Sequence, residues 1–256
     1  MSEARLLARH VLGCTAAWLE AHRDDRLNDV QADQFSELVA RRAGGEPIAY
    51  LLGYREFYGR DFAVSPAVLI PRPETELLVD LAKAAVANVA APRILDLGTG
   101  SGCVAITLAL EISAATVTAV DVSPAALIMA RSNAQRLGAR VRFVESDWFA
   151  ALGDERFDLI VGNPPYIAEG DLHLSEGDLR FEPETALHCG VDGLGAISRI
   201  VAEAPRHLVQ GGRLYFEHGY DQAKAVADLL SAAGYVSLEQ HRDLAGIVRV
   251  SGGENP

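Results

Sequence analysis

The sequence predicts an α/β protein. Its main body is a mostly parallel sheet of seven strands, covered by helices on both faces and carrying one antiparallel strand, and a small helical segment and a β-hairpin precede it. Three observations predict this. From about residue 74, short apolar runs alternate with longer amphipathic stretches. Before residue 54 the apolar spacing is helical. At the end, two strand-like runs follow each other with no helix between them, which suits an antiparallel return.

In the opening stretch Leu6, Leu7, His10, Val11, Cys14 and Trp18 lie at helical spacing. Phe35, Leu38 and Val39 fall on one side of a second helix that stops at Gly44-Gly45. "EPIAYLLG" reads as a third, short helix. Amphipathic helices of this length are marginal alone, so they pack on one another. "REFYGRDFAVS" alternates and turns at Gly59-Arg60, as a hairpin does. "PAVLIPRPETE" holds three prolines and reads as an ordered connector. The expected divisions are therefore 1–53, 54–73 and 74–256.

In the third part, "TELLVDLAKAAVANV" is a helix and "RILDLG" a buried strand. "GCVAITLALEI" is a helix, "TVTAVDVS" a strand, and "PAALIMARSNAQRLG" a helix with Pro124 in its first turn. "VRFVESD" and "FDLIVG" are strands, and "AISRIVAEAPRHLVQGG" is a helix ending at Gly211-Gly212. "RLYFEHG" is a strand and "QAKAVADLLSAAG" a helix, and "YVSLEQHRDLAGIVRVSG" closes the sheet as two strands.

Composition narrows the function. Of 256 residues, 49% are apolar and 23% charged, a globular balance. No apolar run approaches the roughly 20 residues of a membrane span, and the charged N-terminus does not read as a signal peptide. A cytoplasmic location without membrane attachment is expected. Cys14, Cys103 and Cys189 are far apart and no Cys-x-x-Cys occurs, so neither a disulfide framework nor a metal site is expected. The net charge is −12, of which residues 76–256 carry −10. That charge disfavours nucleic acid as a partner.

"DLGTGSG", Asp96 to Gly102, joins a strand to a helix. Glycines at 98, 100 and 102 allow a tight turn and close approach of a ligand, although a purely structural turn has the same look. The spacing is G-x-G-x-G, with Cys103 where a dinucleotide fingerprint needs glycine, so a nicotinamide dehydrogenase is disfavoured. Asp121 ends the second strand, nineteen residues beyond Gly102, where an acid can accept from both ribose hydroxyls or favour the following helix N-terminus. The third strand ends in Asp147 and Trp148, suited to an adenine amino group and a purine face, with core packing the plainer role for the Trp. The fourth ends in Asn163, Pro164, Pro165 and Tyr166. The prolines stiffen the backbone. The Asn163 Oδ1 and the Pro164 carbonyl make an acceptor pair for a planar –NH₂ group on which Tyr166 can stack. A proline-stiffened turn capped by Asn is the plainer alternative.

On "GEPIAYLLGYREFYG", "LIPRPETE", "DLGTGSG", "AVDVSPAAL", "SDWF" and "NPPYI", the chain resembles the class I S-adenosylmethionine-dependent methyltransferases. More narrowly, it is similar to the HemK-type N5-glutamine methyltransferases that modify peptide chain release factors. The resemblance implies a seven-stranded Rossmann-like methyltransferase sheet and S-adenosyl-L-methionine as cofactor, with S-adenosyl-L-homocysteine as product. It implies that Gly98, Thr99, Gly100, Ser101 and Gly102 wrap the methionine part. Asp121 holds the ribose, Asp147 and Trp148 flank the adenine, and Asn163 touches both cofactor and substrate. Asn163, Pro164, Pro165 and Tyr166, with Glu217, form the glutamine pocket, and Asn163, Pro164 and Tyr166 carry the catalysis. The partner is a class I peptide chain release factor, docked in part by residues 1–53. His218 departs from the Glu-Ile-Gly expected after the fifth strand. Two other readings stay open: a nucleic-acid amino methyltransferase acting on adenine N6 or guanine N2, which shares the planar –NH₂ logic, and a binding module with a vestigial pocket.

Overall fold

The computed structural model describes residues 2–171 and 177–256. Four helices open the chain: α1 (Glu3–Leu12), α2 (Ala16–Ala21), α3 (Asp29–Ala43) and α4 (Ile48–Leu52). The opening helical stretch is thus two helices. Gly13 takes a left-handed conformation that ends α1, and the Thr15 side chain then accepts from the Trp18 N–H and caps α2. Asn28 and Gln31 form a reciprocal capping box on α3.

The hairpin pairs β1 (Tyr54–Phe57) with β2 (Arg60–Ala63). Its turn residues are Tyr58 and Gly59, both at positive φ, one position earlier than the sequence suggested. Glu76 accepts from the Tyr58 N–H at 2.8 Å and Asp80 from its hydroxyl at 2.7 Å, which holds a bulky residue in that conformation.

The main sheet comprises β3 (Arg93–Leu97), β4 (Thr116–Asp121), β5 (Val141–Glu145), β6 (Phe157–Gly162), β7 (Leu208–Glu217), β8 (Val236–Arg242) and β9 (Val248–Glu254). Their spatial order is β5-β4-β3-β6-β7-β9-β8. β9 runs antiparallel to both of its neighbours, and the remaining pairs are parallel. Side chains alternate between two cores, as the period of a strand requires. Ile94, Val117, Leu159, Val161 and Tyr215 face α5 (Glu76–Ala85) and α6 (Cys103–Glu111). Leu95, Leu97, Ile160, Leu214 and Phe216 face α8 (Gly195–Glu203) and α9 (Ala223–Ala232). Each such fully buried side chain contributes about 1.5–3 kcal/mol. The remaining helix, α7 (Pro124–Leu137), follows β4 and packs on β4 and β5.

The helix expected to reach Gly211-Gly212 stops at Glu203. Pro205 has no N–H to continue it, a 3₁₀ turn covers Ala204–Arg206, and Leu208 is already paired with Phe157 as the start of β7. The strand order reverses between β3 and β6, so the carboxyl ends of these strands open a crevice there. The helical segment adjoins this frame. Tyr50 donates its buried hydroxyl to the Val68 carbonyl at 2.8 Å and clusters with Val64, Val68, Ile70 and Ala126.

Candidate active site

The crevice encloses about 1030 Å³, its open mouth included. Its floor is the glycine loop after β3. Gly98, Gly100 and Gly102 all have positive φ, at 68°, 55° and 82°, so glycine is required for backbone reasons. A Cβ at Gly102 would lie 2.7 Å from Ile106 Cδ1, whereas one at Gly100 would meet nothing. Gly102 is thus fixed by packing on α6 and α7, and Gly100 borders free space. Asn133 ties the loop down, donating through Nδ2 to the Ser101 carbonyl at 2.9 Å and the Ala63 carbonyl at 3.0 Å. Asp96 is buried at the crevice wall and accepts from the Thr99 hydroxyl at 2.6 Å. Burial pushes its carboxyl up to about 7.

Asp121, at the end of β4, accepts from the Gly100 N–H at 2.8 Å and the Ser123 N–H at 2.9 Å. It therefore shapes the glycine loop and the entry to α7 together, while its carboxylate lines the crevice. Trp148 sits at φ 52°, and a Cβ on Gly98 would come within 3.5 Å of its ring. The Ser146 hydroxyl donates to the Trp148 carbonyl at 2.9 Å and steadies that turn. Asp147 lines the crevice with both oxygens on Arg199 Nη1, at 2.8 and 2.7 Å.

Opposite lies the end of β6. Asn163 and Pro165 line the crevice, and Pro164 is buried. Asn163 donates through Nδ2 to Thr75 Oγ1 at 3.3 Å. Thr75 in turn donates to Glu217 Oε2 at 2.6 Å, and the Tyr166 hydroxyl donates to Glu217 Oε1 at 3.1 Å. Tyr166 is tied by its ring hydroxyl and by its carbonyl, which accepts from Gln222 Nε2 at 2.9 Å. Glu217, expected in the substrate pocket, is buried, with both oxygens taken by protein hydroxyls. Burial pushes its carboxyl up, and these two hydrogen bonds pull the other way.

His218 is fully buried between β7 and β9. Its Nδ1–H donates to the Gly219 carbonyl at 2.9 Å, so Nε2 accepts from Ser251 at 2.8 Å. Burial pushes its pKa down, so the ring is neutral and bridges two strands, away from the crevice.

Sequence reasoning gave no role to Thr75, Asn133, Glu182 or Gln222. Glu182 is buried and accepts from the Ile70 N–H at 3.1 Å and Arg72 Nη2 at 2.5 Å, which fixes the wall formed by Pro183, Thr185 and Ala186. Only Thr75 lay inside a noted motif, "PRPETE".

Residues 1–53 match the model of the PrmC N-terminal domain, and residues 73–177 match that of the Methyltransferase small domain. The release factor glutamine methyltransferase of Bordetella pertussis is 55% identical over 98% of this chain and 93% of its own. The chain belongs to the release factor glutamine methyltransferase family. A second member of that family, from Neisseria gonorrhoeae, is 48% identical over 98% of this chain and 92% of its own. Among solved structures, a Pyrococcus furiosus methyltransferase superposes with a TM-score of 0.57 at 21% identity, covering 86% of this chain and 98% of its own. A T. thermophilus 16S rRNA N2 methyltransferase, solved with AdoMet and guanosine, gives 0.57 at 20% identity, covering 79% and 50%. These likenesses show that this family member has the methyltransferase fold. No described helix is long and apolar enough to cross a membrane.

Proposed function

We propose that the chain transfers a methyl group from S-adenosyl-L-methionine to the side-chain amide nitrogen (N5) of a glutamine. That glutamine is the one in the Gly-Gly-Gln loop of class I peptide chain release factors, and S-adenosyl-L-homocysteine leaves. The observation that carries the reading is that Asn163 faces the glycine loop, Asp121 and Trp148 across one crevice at the ends of four strands.

The residues present suit the donor. Free space borders Gly100, and the Asp121 carboxylate lines the wall together with the buried Asp96 and the Arg199-paired Asp147. Among the described lining residues the guanidinium is that of Arg72, and it is paired with Glu182. A cation is favoured in such surroundings. When bound, the sulfonium supplies an electrophilic methyl. In this reading Gly98 to Gly102 hold its methionine part, Asp121 the ribose hydroxyls, and Asp147 and Trp148 the adenine.

Asn163 Oδ1 and the Pro164 carbonyl accept the two hydrogens of the substrate carboxamide, and Tyr166 and Pro165 bound its plane. An amide lone pair is delocalised and poorly nucleophilic. Acceptors that hold the two N–H bonds out of plane direct that lone pair into the crevice. Such orientation supplies on the order of 7–11 kcal/mol in ideal cases. Neither Asn163 nor the prolines are basic, and Glu217 is already occupied by two hydroxyls. The surplus proton on the methylated nitrogen therefore passes to water. Residues 1–53 dock the release factor, 54–73 connect, and 74–256 catalyse, in the cytoplasm where the partner acts.

The test is incubation with isotope-labelled S-adenosyl-L-methionine and a purified class I release factor, followed by mass analysis of the Gly-Gly-Gln peptide. One methyl on the glutamine side chain is expected. Label that stays off the protein, or enters RNA offered in its place, overturns the reading.

A further inference from the structure

We infer that Thr75 is a positioning residue for methyl transfer: its hydroxyl decides which end of the Asn163 carboxamide faces the crevice. The inference rests on the proposed role of Asn163. The two ends of a carboxamide have the same shape and opposite hydrogen-bonding character. A substrate –NH₂ offers two donors, so Asn163 must present oxygen; the reversed rotamer would set donor against donor. Rotation about the terminal torsion of Asn is soft, so shape alone does not choose.

The Thr75 hydroxyl makes the choice through its single proton. Glu217 Oε2 takes that proton at 2.6 Å, and Glu217 Oε1 is engaged by Tyr166. Only lone pairs remain on Thr75 Oγ1 toward Asn163, 3.3 Å away. The group that meets them must be Nδ2, which leaves Oδ1 for the rest of the crevice that Asn163 and Thr75 both line. Burial closes the alternatives: Thr75 is 3% exposed and Glu217 2%, so water does not readily replace either partner. Thr75 also stands just before α5, yet its side chain makes no capping hydrogen bond there. Its hydroxyl is committed to the relay.

Wild-type enzyme is first shown to methylate the release factor glutamine. Thr75→Val keeps the shape and loses the hydroxyl. It is expected to lower kcat about thirtyfold while KM for S-adenosyl-L-methionine changes less than about threefold. Thr75→Ser restores the hydroxyl and is expected to return kcat to within about threefold of wild type. A purely packing role predicts the opposite order, since valine keeps both branches and serine drops the methyl. Wild-type kcat in Thr75→Val, or no recovery in Thr75→Ser, overturns the inference. Because the valine variant leaves a buried carboxylate oxygen unpaired and can fail to fold, a second measurement uses the wild-type protein. Nuclear Overhauser contacts between the Asn163 Nδ2 protons and the Thr75 side chain are expected, and their absence overturns the inference. Failure of the wild type to methylate glutamine strikes the functional reading, whereas the Overhauser contacts report on Thr75 independently.

Discussion

The two sides of the crevice are built by different means. The wall after β3, β4 and β5 is held through its backbone: three glycines at positive φ, amide N–H groups of Gly100 and Ser123 on Asp121, and the Ser101 carbonyl on Asn133. The wall after β6 is held by side chains from distant parts of the chain, Thr75, Glu217 and Gln222. The first wall is thus sensitive to a Cβ on one of its glycines and to loss of the Asp121 or Asn133 side chain that grips its backbone. A wall built on side-chain hydrogen bonds fails when one donor or acceptor is exchanged at constant volume.

Removing the acceptor at the tip of the second wall is the strongest challenge to that contrast. Asn163→Ala is expected to lower kcat about a thousandfold, roughly 4 kcal/mol, with cofactor affinity by calorimetry altered only a few-fold. Near-normal turnover would deny the second wall its role.

The next test concerns the first wall. Burial raises the Asp96 carboxyl to about 7 from 3.8. A carboxyl raised by folding favours the protonated native state, so its contribution is full below the unfolded pKa and fades as pH climbs through the folded one. Urea unfolding of the cofactor-free protein should therefore show roughly 3 kcal/mol lost to this group between about pH 5 and 8. Asp96→Asn should remove that part of the slope, and an unchanged slope would show that Asp96 is not the group responsible.

Gly102→Ala places a Cβ against Ile106 and Ala130 at φ 82°. It should destabilise the protein by about 2 kcal/mol, read as a lower unfolding midpoint. Gln222→Ala leaves the Tyr166 carbonyl and the Gly219 N–H without their side-chain partner. It should cost about 1.5 kcal/mol and, unlike Gly102→Ala, lower kcat more than it weakens cofactor binding. As the smallest effect, Lys224→Ala breaks an exposed pair with Asp228 and should change stability by less than about 0.5 kcal/mol.

The same contrast explains what the sequence made legible. Strands and helices of the main sheet follow from local periodicity, and the glycine loop, Asp121, Trp148 and Asn163 stand out because each sits where a strand ends. The local features that misled were equally local: Gly13 and Thr15 divide the first helical stretch, and Pro205 ends α8 ahead of a longer β7. Thr75 and Glu217 are 142 residues apart, and Gln222 lies 56 from the Tyr166 it holds. No spacing rule connects such pairs, because only the folded sheet brings them together. His218 looked like an anomaly beside the site, and burial turned it into a bridge between β7 and β9.

Tyr50 anchors the end of the helical segment to Val68, on the stretch of chain whose next residues, Leu69, Pro71 and Arg72, border the crevice. The last of those helices is thereby tied to the crevice wall. In the proposed function, a release factor docked on residues 1–53 is therefore held beside the wall that runs on to the crevice, and the reach of its loop bears on whether the glutamine arrives.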